Sequence, residues 1–138
     1  MIKTFICSLI FLLVACHNSS ENQSELEPIQ YLALGDSYTI GQGVDLADNW
    51  PNQLVLKLKE MGFWVDKNDI IAQTGWETTD LLNVLADSSL ENYNLVSLLI
   101  GVNNQYSNQP FETYIKEFDL LINHAIRLVG KNRIFVVS

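Results

Sequence analysis

One stretch of the sequence constrains the fold more than any other, the apolar run that ends at residue 100. Between Tyr93 and Ile100 the chain contains Leu-Val-Ser-Leu-Leu-Ile, without the alternation of polar and apolar residues expected of a half-exposed strand. Such a run is typical of a parallel strand that is covered on both faces. The sequence therefore predicts an α/β protein with a buried parallel sheet.

Similar short apolar segments alternate with amphipathic stretches along the chain. Further strands are predicted over residues 29–34, 69–72 and 133–138, with Phe63-Trp64-Val65 as a candidate addition before the second. Helices are predicted from a cap at Asp48 or Asn49 to Gly62, from a cap at Thr78 past Leu85, and from near Pro110 to Gly130. The last helix has apolar residues in steps of four and three, Phe111, Ile115, Phe118, Ile122, Ala125 and Val129.

This order of strands and helices indicates where a functional site should lie. Four strands that alternate with three helices are the pattern of βαβ units with a parallel sheet. In open sheets of this kind, ligands bind beyond the carboxyl ends of the strands. The functional residues are therefore expected directly after residues 34, 72 and 100.

A short polar or glycine-containing segment follows each of these strand ends: Gly35-Asp36-Ser37, then Gly75, then Gly101-Val102-Asn103-Asn104. Taken singly, each segment is equally well explained by a turn, since Asp36 and Asn103 can bond to nearby backbone and Gly75 can supply a positive φ. Taken together, they bring a serine hydroxyl, a glycine N–H and an asparagine amide to one crevice. That combination indicates a nucleophile with oxyanion donors.

In these segments and their order, residues 30–138 resemble the SGNH hydrolases, also called the GDSL esterase/lipase family. The resemblance implies a flavodoxin-like three-layer α/β/α fold with a parallel sheet, incomplete at its C-terminus. It implies that Ser37 is the nucleophile and that the oxyanion is held by the N–H groups of Ser37 and Gly75 and by the side chain of Asn103. The supporting residues are Gly35, Asp36, Gly101 and Asn104. No metal or organic cofactor is implied.

Two features depart from the family pattern. The third block usually reads Gly-x-Asn-Asp, and Asn104 in place of the aspartate puts a supporting hydrogen bond in doubt. The family's general base is a histidine in an Asp-x-x-His block near the C-terminus, but neither His17, preceded at that spacing by Val14, nor His124, preceded by Leu121, fits it. We interpret His124 as an ordinary helix histidine.

Two explanations of the missing base compete, a fragment that lacks its last strand, helix and Asp-x-x-His block, and a natural pseudoenzyme. The fragment is favoured, because an apolar strand at residues 133–138 would leave an aggregation-prone edge in a finished protein. We therefore expect little ester hydrolysis from residues 1–138 alone.

The first residues are predicted to be a bacterial lipoprotein signal peptide. Lys3 precedes an apolar stretch from Phe5 to Ala15, which is too short to span a bilayer and ends at Cys16 in a lipobox-like sequence. The predicted division is a signal at 1–15, a lipidated Cys16 with a flexible tether at 16–28, and the hydrolase domain at 29–138. An ordinary secretory peptide is the alternative. The predicted location is the cell envelope, with the protein lipid-anchored to the outer membrane, either on its periplasmic side or at the cell surface.

The net charge of the chain disfavours one class of partner. The 138 residues carry 8 basic and 16 acidic side chains, a net charge of −8, which argues against nucleic-acid binding. The favoured function is a serine esterase acting on a small-molecule, lipid or sugar ester, such as a lysophospholipid, an acyl thioester, an aryl ester or an acetylated sugar. Trp76 and Tyr106 are candidates to line its pocket. The alternative functions are a non-catalytic surface lipoprotein that binds carbohydrate or peptide and, with less support, a nucleotide-binding flavodoxin-like module.

Overall fold

The structure is a computed structural model that describes residues 27–138. The predicted signal peptide, the lipidated Cys16 and nearly all of the predicted tether lie outside the described residues. No helix in the described range is long and apolar enough to cross a membrane.

Four strands and three long helices follow one another in the predicted order. The elements are β1 (Ile29–Gly35), α1 (Ser37–Ile40), α2 (Trp50–Glu60), β2 (Val65–Ala72), α3 (Thr78–Asp87), β3 (Leu95–Leu99), α4 (Val102–Tyr106), α5 (Phe111–Val129) and β4 (Ile134–Val136). The second strand begins at Val65, so it is longer than predicted, and the fourth is shorter. The short helices α1 and α4 were not predicted, and each begins within three residues of a strand end.

The strands form one parallel sheet in the order β2-β1-β3-β4. Gly35 at the end of β1 pairs with Ala72 of β2 on one side and with Leu99 of β3 on the other. The carboxyl ends of these three strands therefore lie side by side. This confirms the predicted parallel α/β architecture.

Helices cover both faces of the sheet, and β1 shows how its residues are divided between the two layers. Leu32 and Leu34 belong to the core that α3 and α5 cover. Tyr31 and Ala33 belong to the core that contains Val55 of α2. Successive side chains of a strand point to opposite faces, so in a strand covered on both sides the two alternating sets of side chains are both buried and mostly apolar. The apolar runs in the sequence are explained by this arrangement.

The apolar residues that recur along α5 are not buried over its whole length. Phe111 is 67% exposed and Ile115 is 50% exposed, whereas Leu121 and Ala125 are buried against the sheet. The first turns of α5 border an open cleft rather than the sheet. The spacing of apolar residues shows which of them share a helix face. It does not show whether another element covers that face along the whole helix.

Of the predicted caps of α2 and α3, the structure confirms the first and not the second. Asn49 caps α2 as predicted, and its Oδ1 accepts from the N–H of Asn52 at 3.0 Å. The cap of α3 is Glu77, which forms a reciprocal capping box with Asp80, and the prediction of Thr78 as the cap is wrong. The Thr78 hydroxyl is used elsewhere, because it donates to Glu117 of α5.

We expect the buried hydrogen bond between Tyr31 and Ser97 to contribute to stability. Their hydroxyl oxygens are 2.7 Å apart, and both residues are fully buried. Tyr31→Phe leaves the Ser97 hydroxyl without a partner and should lower the free energy of unfolding by about 1–3 kcal/mol, while Tyr31→Phe with Ser97→Ala should recover much of that loss. Chemical denaturation measures both, and equal stability of wild type and Tyr31→Phe would contradict the prediction.

The same tyrosine should also make stability depend on alkaline pH. Burial raises the pKa of Tyr31 from 10.0 to about 12, with the Ser97 hydrogen bond acting in the opposite direction. Because the folded-state pKa is raised, this contribution is complete below pH 10 and is lost as the pH rises towards 12. Tyr31→Phe should show a smaller loss of stability than wild type when chemical denaturation is repeated over that interval.

Candidate active site

Ser37 lies directly beyond the carboxyl end of β1. It is the half-buried first residue of α1, and the sharp change from strand to helix is made possible by Gly35. A Cβ at Gly35 would overlap the Thr39 side chain and the carbonyl oxygen of Leu99. The glycine is thus needed because β1, β3 and α1 approach one another closely here.

Asp36 is fully buried and caps α1. Its Oδ1 accepts from the N–H of Tyr38 at 3.0 Å, while Oδ2 has no partner within residues 27–138. Burial raises the pKa of Asp36 above its ordinary value of 3.8, and the hydrogen bond to the Tyr38 N–H opposes that rise. These contacts give Asp36 a structural part in holding the turn that carries Ser37.

Gly75 lies three residues beyond the end of β2 in an exposed turn. Its φ is +83°, and a Cβ there would meet no atom within 4 Å. The glycine is therefore explained by its backbone conformation and not by crowding. Within residues 27–138, the N–H groups of Gly75 and Ser37 donate to no other protein group.

Hydrogen bonds between the loops bring the three segments together. The Asn103 Nδ2 donates to the carbonyl oxygen of Trp76 at 2.9 Å, which ties the segment after β3 to the residue next to Gly75. The Thr74 hydroxyl donates to Gln42 Oε1 at 2.6 Å, which ties the same loop to the segment after α1. A carbonyl oxygen accepts only, so the atom that Asn103 presents to it is the amide nitrogen. One of the two amide hydrogens is left for another acceptor.

Asn104 is 2% exposed and makes the supporting contacts that the sequence had put in doubt. Its Oδ1 accepts from the backbone N–H of Thr78 at 3.2 Å, and its Nδ2 donates to the Thr78 hydroxyl at 2.7 Å. The loop that contains Gly75 is therefore held by both asparagines of the third block. The pairing of Thr78 with Glu117 was missed by the sequence reasoning, because nothing local marks two residues that are 39 positions apart.

Gly101 lets the chain turn from β3 into α4. Its φ is +131°, and a Cβ there would lie 2.7 Å from the ring of Tyr114. Both the backbone conformation and the close approach of α5 therefore require glycine at this position.

Two clefts open at this edge of the sheet. The larger, about 1050 Å³, runs between the ends of β3 and β4 and the first half of α5, and its walls include Tyr38, Ile100, Phe111, Tyr114, Phe118 and Val136. Ser37 lines the smaller one, about 270 Å³, together with Gly41, Asn49 and Trp50. Tyr38 borders both, so the larger apolar cleft adjoins the serine without containing it.

The two aromatic residues that were candidates for the pocket wall line neither cleft. Trp76 packs against the core between the sheet, α3 and α5, and Tyr106 is 79% exposed. Packing is thus sufficient to explain Trp76. The aromatic residues on α5 that do line the larger cleft are Phe111, Tyr114 and Phe118. Periodicity placed the two phenylalanines in one apolar series along the helix and gave no sign of the cleft.

His124 lies in the second half of α5, thirteen residues after the helix begins beside the larger cleft. At 1.5 Å per residue this is about 20 Å along the helix, away from the carboxyl ends of the strands. Burial, and secondly the charge of Arg127, lower the pKa of His124. Its position agrees with the interpretation of an ordinary helix histidine.

Comparison with known proteins identifies a matching family model and similar folds. The model of the GDSL-like lipase/acylhydrolase family matches residues 33–138. The esterase AlinE4 of the SGNH-hydrolase family has a TM-score of 0.67 and 23% identity, and TesA has a TM-score of 0.67 and 20% identity. A family 3 carbohydrate esterase of Clostridium thermocellum has a TM-score of 0.62 and 20% identity. No curated protein sequence matches.

These similarities cover most of this chain but only part of the other proteins. The alignments take in 80% of this chain and 58% of AlinE4, 78% and 58% for TesA, and 80% and 60% for the carbohydrate esterase. The chain therefore spans less than two thirds of the length of these solved structures. At such identities the structural likeness establishes the fold.

Two replacements of Asp36 should distinguish the effect of its capping hydrogen bond on stability from the effect of its charge. Asp36→Asn keeps an oxygen for the Tyr38 N–H and should be at least as stable as wild type at pH 7, whereas Asp36→Ala loses the cap and should cost about 0.5–2 kcal/mol. Because the pKa is raised in the fold, any gain from asparagine should be absent below pH 3.8, appear above it, and be complete above the folded-state value. Thermal unfolding of both variants across this range is the measurement, and a less stable Asp36→Asn than Asp36→Ala would contradict it.

Proposed function

The chain belongs to the GDSL-like lipase/acylhydrolase family, and on that premise we propose that it carries the nucleophile and the oxyanion hole of a serine esterase. The observation that supports this most directly is the convergence of three strand ends. Gly35, Ala72 and Leu99 are neighbours in the sheet, and the segments beyond them carry Ser37, Gly75 and Asn103. A non-catalytic binding lipoprotein, the alternative considered from the sequence, has no comparable support.

In the proposed reaction the Ser37 Oγ attacks the carbonyl carbon of an ester. A bond forms between Oγ and that carbon, and the carbonyl oxygen takes up the negative charge of the tetrahedral intermediate. The intermediate collapses to an acyl-enzyme as the alcohol leaves with a proton, and water then releases the acid and restores the serine. A serine hydroxyl is a weak nucleophile until a base takes its proton.

The oxyanion is proposed to be held by the N–H groups of Ser37 and Gly75 and by one Asn103 amide hydrogen. Both N–H groups are without protein acceptors in the described part of the chain, and the Asn103 amide keeps one hydrogen beyond its bond to Trp76. Donors that are already oriented towards the developing charge stabilise the transition state without further reorganisation. The contacts of Asn103 with the Gly75 loop support this arrangement.

The general base is proposed to come from sequence outside the described residues. The histidine within them, His124, lies about 20 Å along α5 from the start of that helix. The solved AlinE4 structures include one variant with a serine and one with an aspartate replaced by alanine. We propose that a histidine and its orienting aspartate complete this site, in the arrangement that the family resemblance implies.

The proposed substrates are carboxylic esters, with lysophospholipids, acyl thioesters and acetylated sugars as the candidate classes. One of the structural relatives is described as a carbohydrate esterase, and another as an SGNH-hydrolase family esterase. We further propose attachment to the cell envelope through lipid on Cys16.

Ser37→Ala should abolish both ester hydrolysis and covalent labelling by a fluorophosphonate probe in the complete gene product. Only a serine whose proton is taken by a base and whose oxyanion is stabilised reacts rapidly with such a probe. The matched control is Ser89→Ala, at an exposed position in the loop after α3, which should label as wild type. Labelling that persists in Ser37→Ala, or no labelling of the wild type, would exclude the proposed role.

Asn103→Ala should lower kcat about 10²–10³-fold, the usual effect of removing one oxyanion donor. The KM should change little, because the lost interaction forms mainly in the transition state. The control is Asn83→Ala on the exposed side of α3, which should retain wild-type kinetics. A folded Asn103→Ala protein with unchanged kcat would remove Asn103 from the oxyanion hole.

A further inference from the structure

Two consecutive asparagines of α4 hold the same loop at two points. Asn103 donates to the carbonyl oxygen of Trp76 at 2.9 Å, and Asn104 accepts from the N–H of Thr78 at 3.2 Å. Gly75 immediately precedes the first of these points. The two proposed oxyanion donors outside α1, the Gly75 N–H and the Asn103 amide, are therefore joined through a short closed path of backbone and hydrogen bonds.

The orientation of the Asn104 amide follows from its partners. The backbone N–H of Thr78 can only donate, so the Asn104 atom that faces it is the oxygen. Its Nδ2 then lies 2.7 Å from the Thr78 hydroxyl and 2.6 Å from Gln109 Oε1. Both amide hydrogens are used, and a side chain that is 2% exposed has no water to replace them.

The contact with Asn104 also decides how the Thr78 hydroxyl bonds to α5. It accepts from Asn104, so its own hydrogen is directed to the carboxylate of Glu117. The other Glu117 oxygen accepts from the Thr79 hydroxyl at 2.8 Å. The order of donors is thus fixed from Asn104 through Thr78 to Glu117.

An aspartate at position 104, the usual residue of the family, would conflict with this order. It would place a second carboxylate on the Thr78 hydroxyl, which has one hydrogen for two acceptors. The buried carboxylate would also lie near Glu117, and Glu77 is already in contact with Gln109. Two like charges that compete for one donor are unfavourable, and position 104 is buried while Glu117 is half-buried.

We propose that Asn104 is a positioning residue of the oxyanion hole and that its identity as asparagine is matched to Glu117. It acts through the loop at 76–78, which it holds together with Asn103, and it touches no reacting atom. This inference rests on the proposed function, since it assigns a purpose to the contact between the two loops that carry oxyanion donors. It explains why this chain departs from the family pattern without losing the supporting hydrogen bonds.

The test is a set of four variants of the complete gene product: N104D, E117Q, N104D with E117Q, and N104D with E112Q. In the double variant with E117Q the order of donors can reverse, because the amide introduced on α5 can donate to Thr78 and the Thr78 hydroxyl can donate to the new carboxylate. Glu112 is an exposed acid on the first turn of the same helix, so E112Q removes an equal charge without reaching Thr78.

The readouts are kcat and KM for a soluble p-nitrophenyl ester, with the thermal unfolding midpoint measured in parallel. We expect N104D to lower kcat roughly 10-fold to 100-fold with KM nearly unchanged, as for a disturbed oxyanion hole. N104D with E117Q should return kcat to within about 3-fold of wild type, consistent with the coupling found between groups in one hydrogen-bond network. E117Q alone gives the baseline for that comparison, and N104D with E112Q should remain as impaired as N104D.

Wild-type kcat in N104D, or equal rescue by E112Q and E117Q, would overturn the inference. A lower unfolding midpoint in N104D with unchanged kcat would also overturn it, since Asn104 would then be structural only. If the wild-type protein neither hydrolyses the ester nor labels at Ser37, the proposed function fails and the positioning role fails with it. The unfolding midpoints would still show whether Asn104 and Glu117 are coupled, which distinguishes the two failures.

Discussion

The parallel register of β1 with its two neighbours is the constraint on which the candidate site depends. Gly35 is paired with Ala72 and Leu99, so three successive strands end at the same level. The segments that carry Ser37, Gly75 and Asn103 therefore all begin within a few residues of the same edge of the sheet. A serine, a glycine and an asparagine that are 38 and 28 residues apart along the chain can meet only because the crossovers return every strand in the same direction.

The register alone leaves the loops free, and hydrogen bonds between them supply the remaining order. Thr74 binds Gln42, and Asn103 and Asn104 bind the stretch at 76–78. Side-chain amides suit this purpose, since each offers a donor and an acceptor in one plane and can satisfy two polar groups without burying a charge. Asp36 is the exception, a fully buried carboxylate whose pKa is raised by that burial.

Much of this arrangement could be predicted from local sequence. The strands, the cap at Asn49 and the placement of Ser37 and Asn103 after strand ends follow from apolar runs, turn residues and the direction of parallel strands. The errors have a common origin. Thr78 was predicted as a cap because its hydroxyl is close in sequence to the helix start, but that hydroxyl donates to Glu117 of α5. The apolar spacing along α5 likewise gave no sign that its first turns border a cleft.

By itself, the sequence determined the order of elements, the parallel sheet and the family, because periodicity, turn residues and short motifs are properties of neighbouring residues. Only the tertiary structure decided which polar groups meet: that Asn104 faces Thr78, that Thr78 faces Glu117, and that Tyr31 faces Ser97. Hydrogen bonds act over about 3 Å, whereas these partners are separated by 26 to 66 residues along the chain. No local pattern encodes such pairs, and they exist only after the sheet and helices have brought their elements into contact.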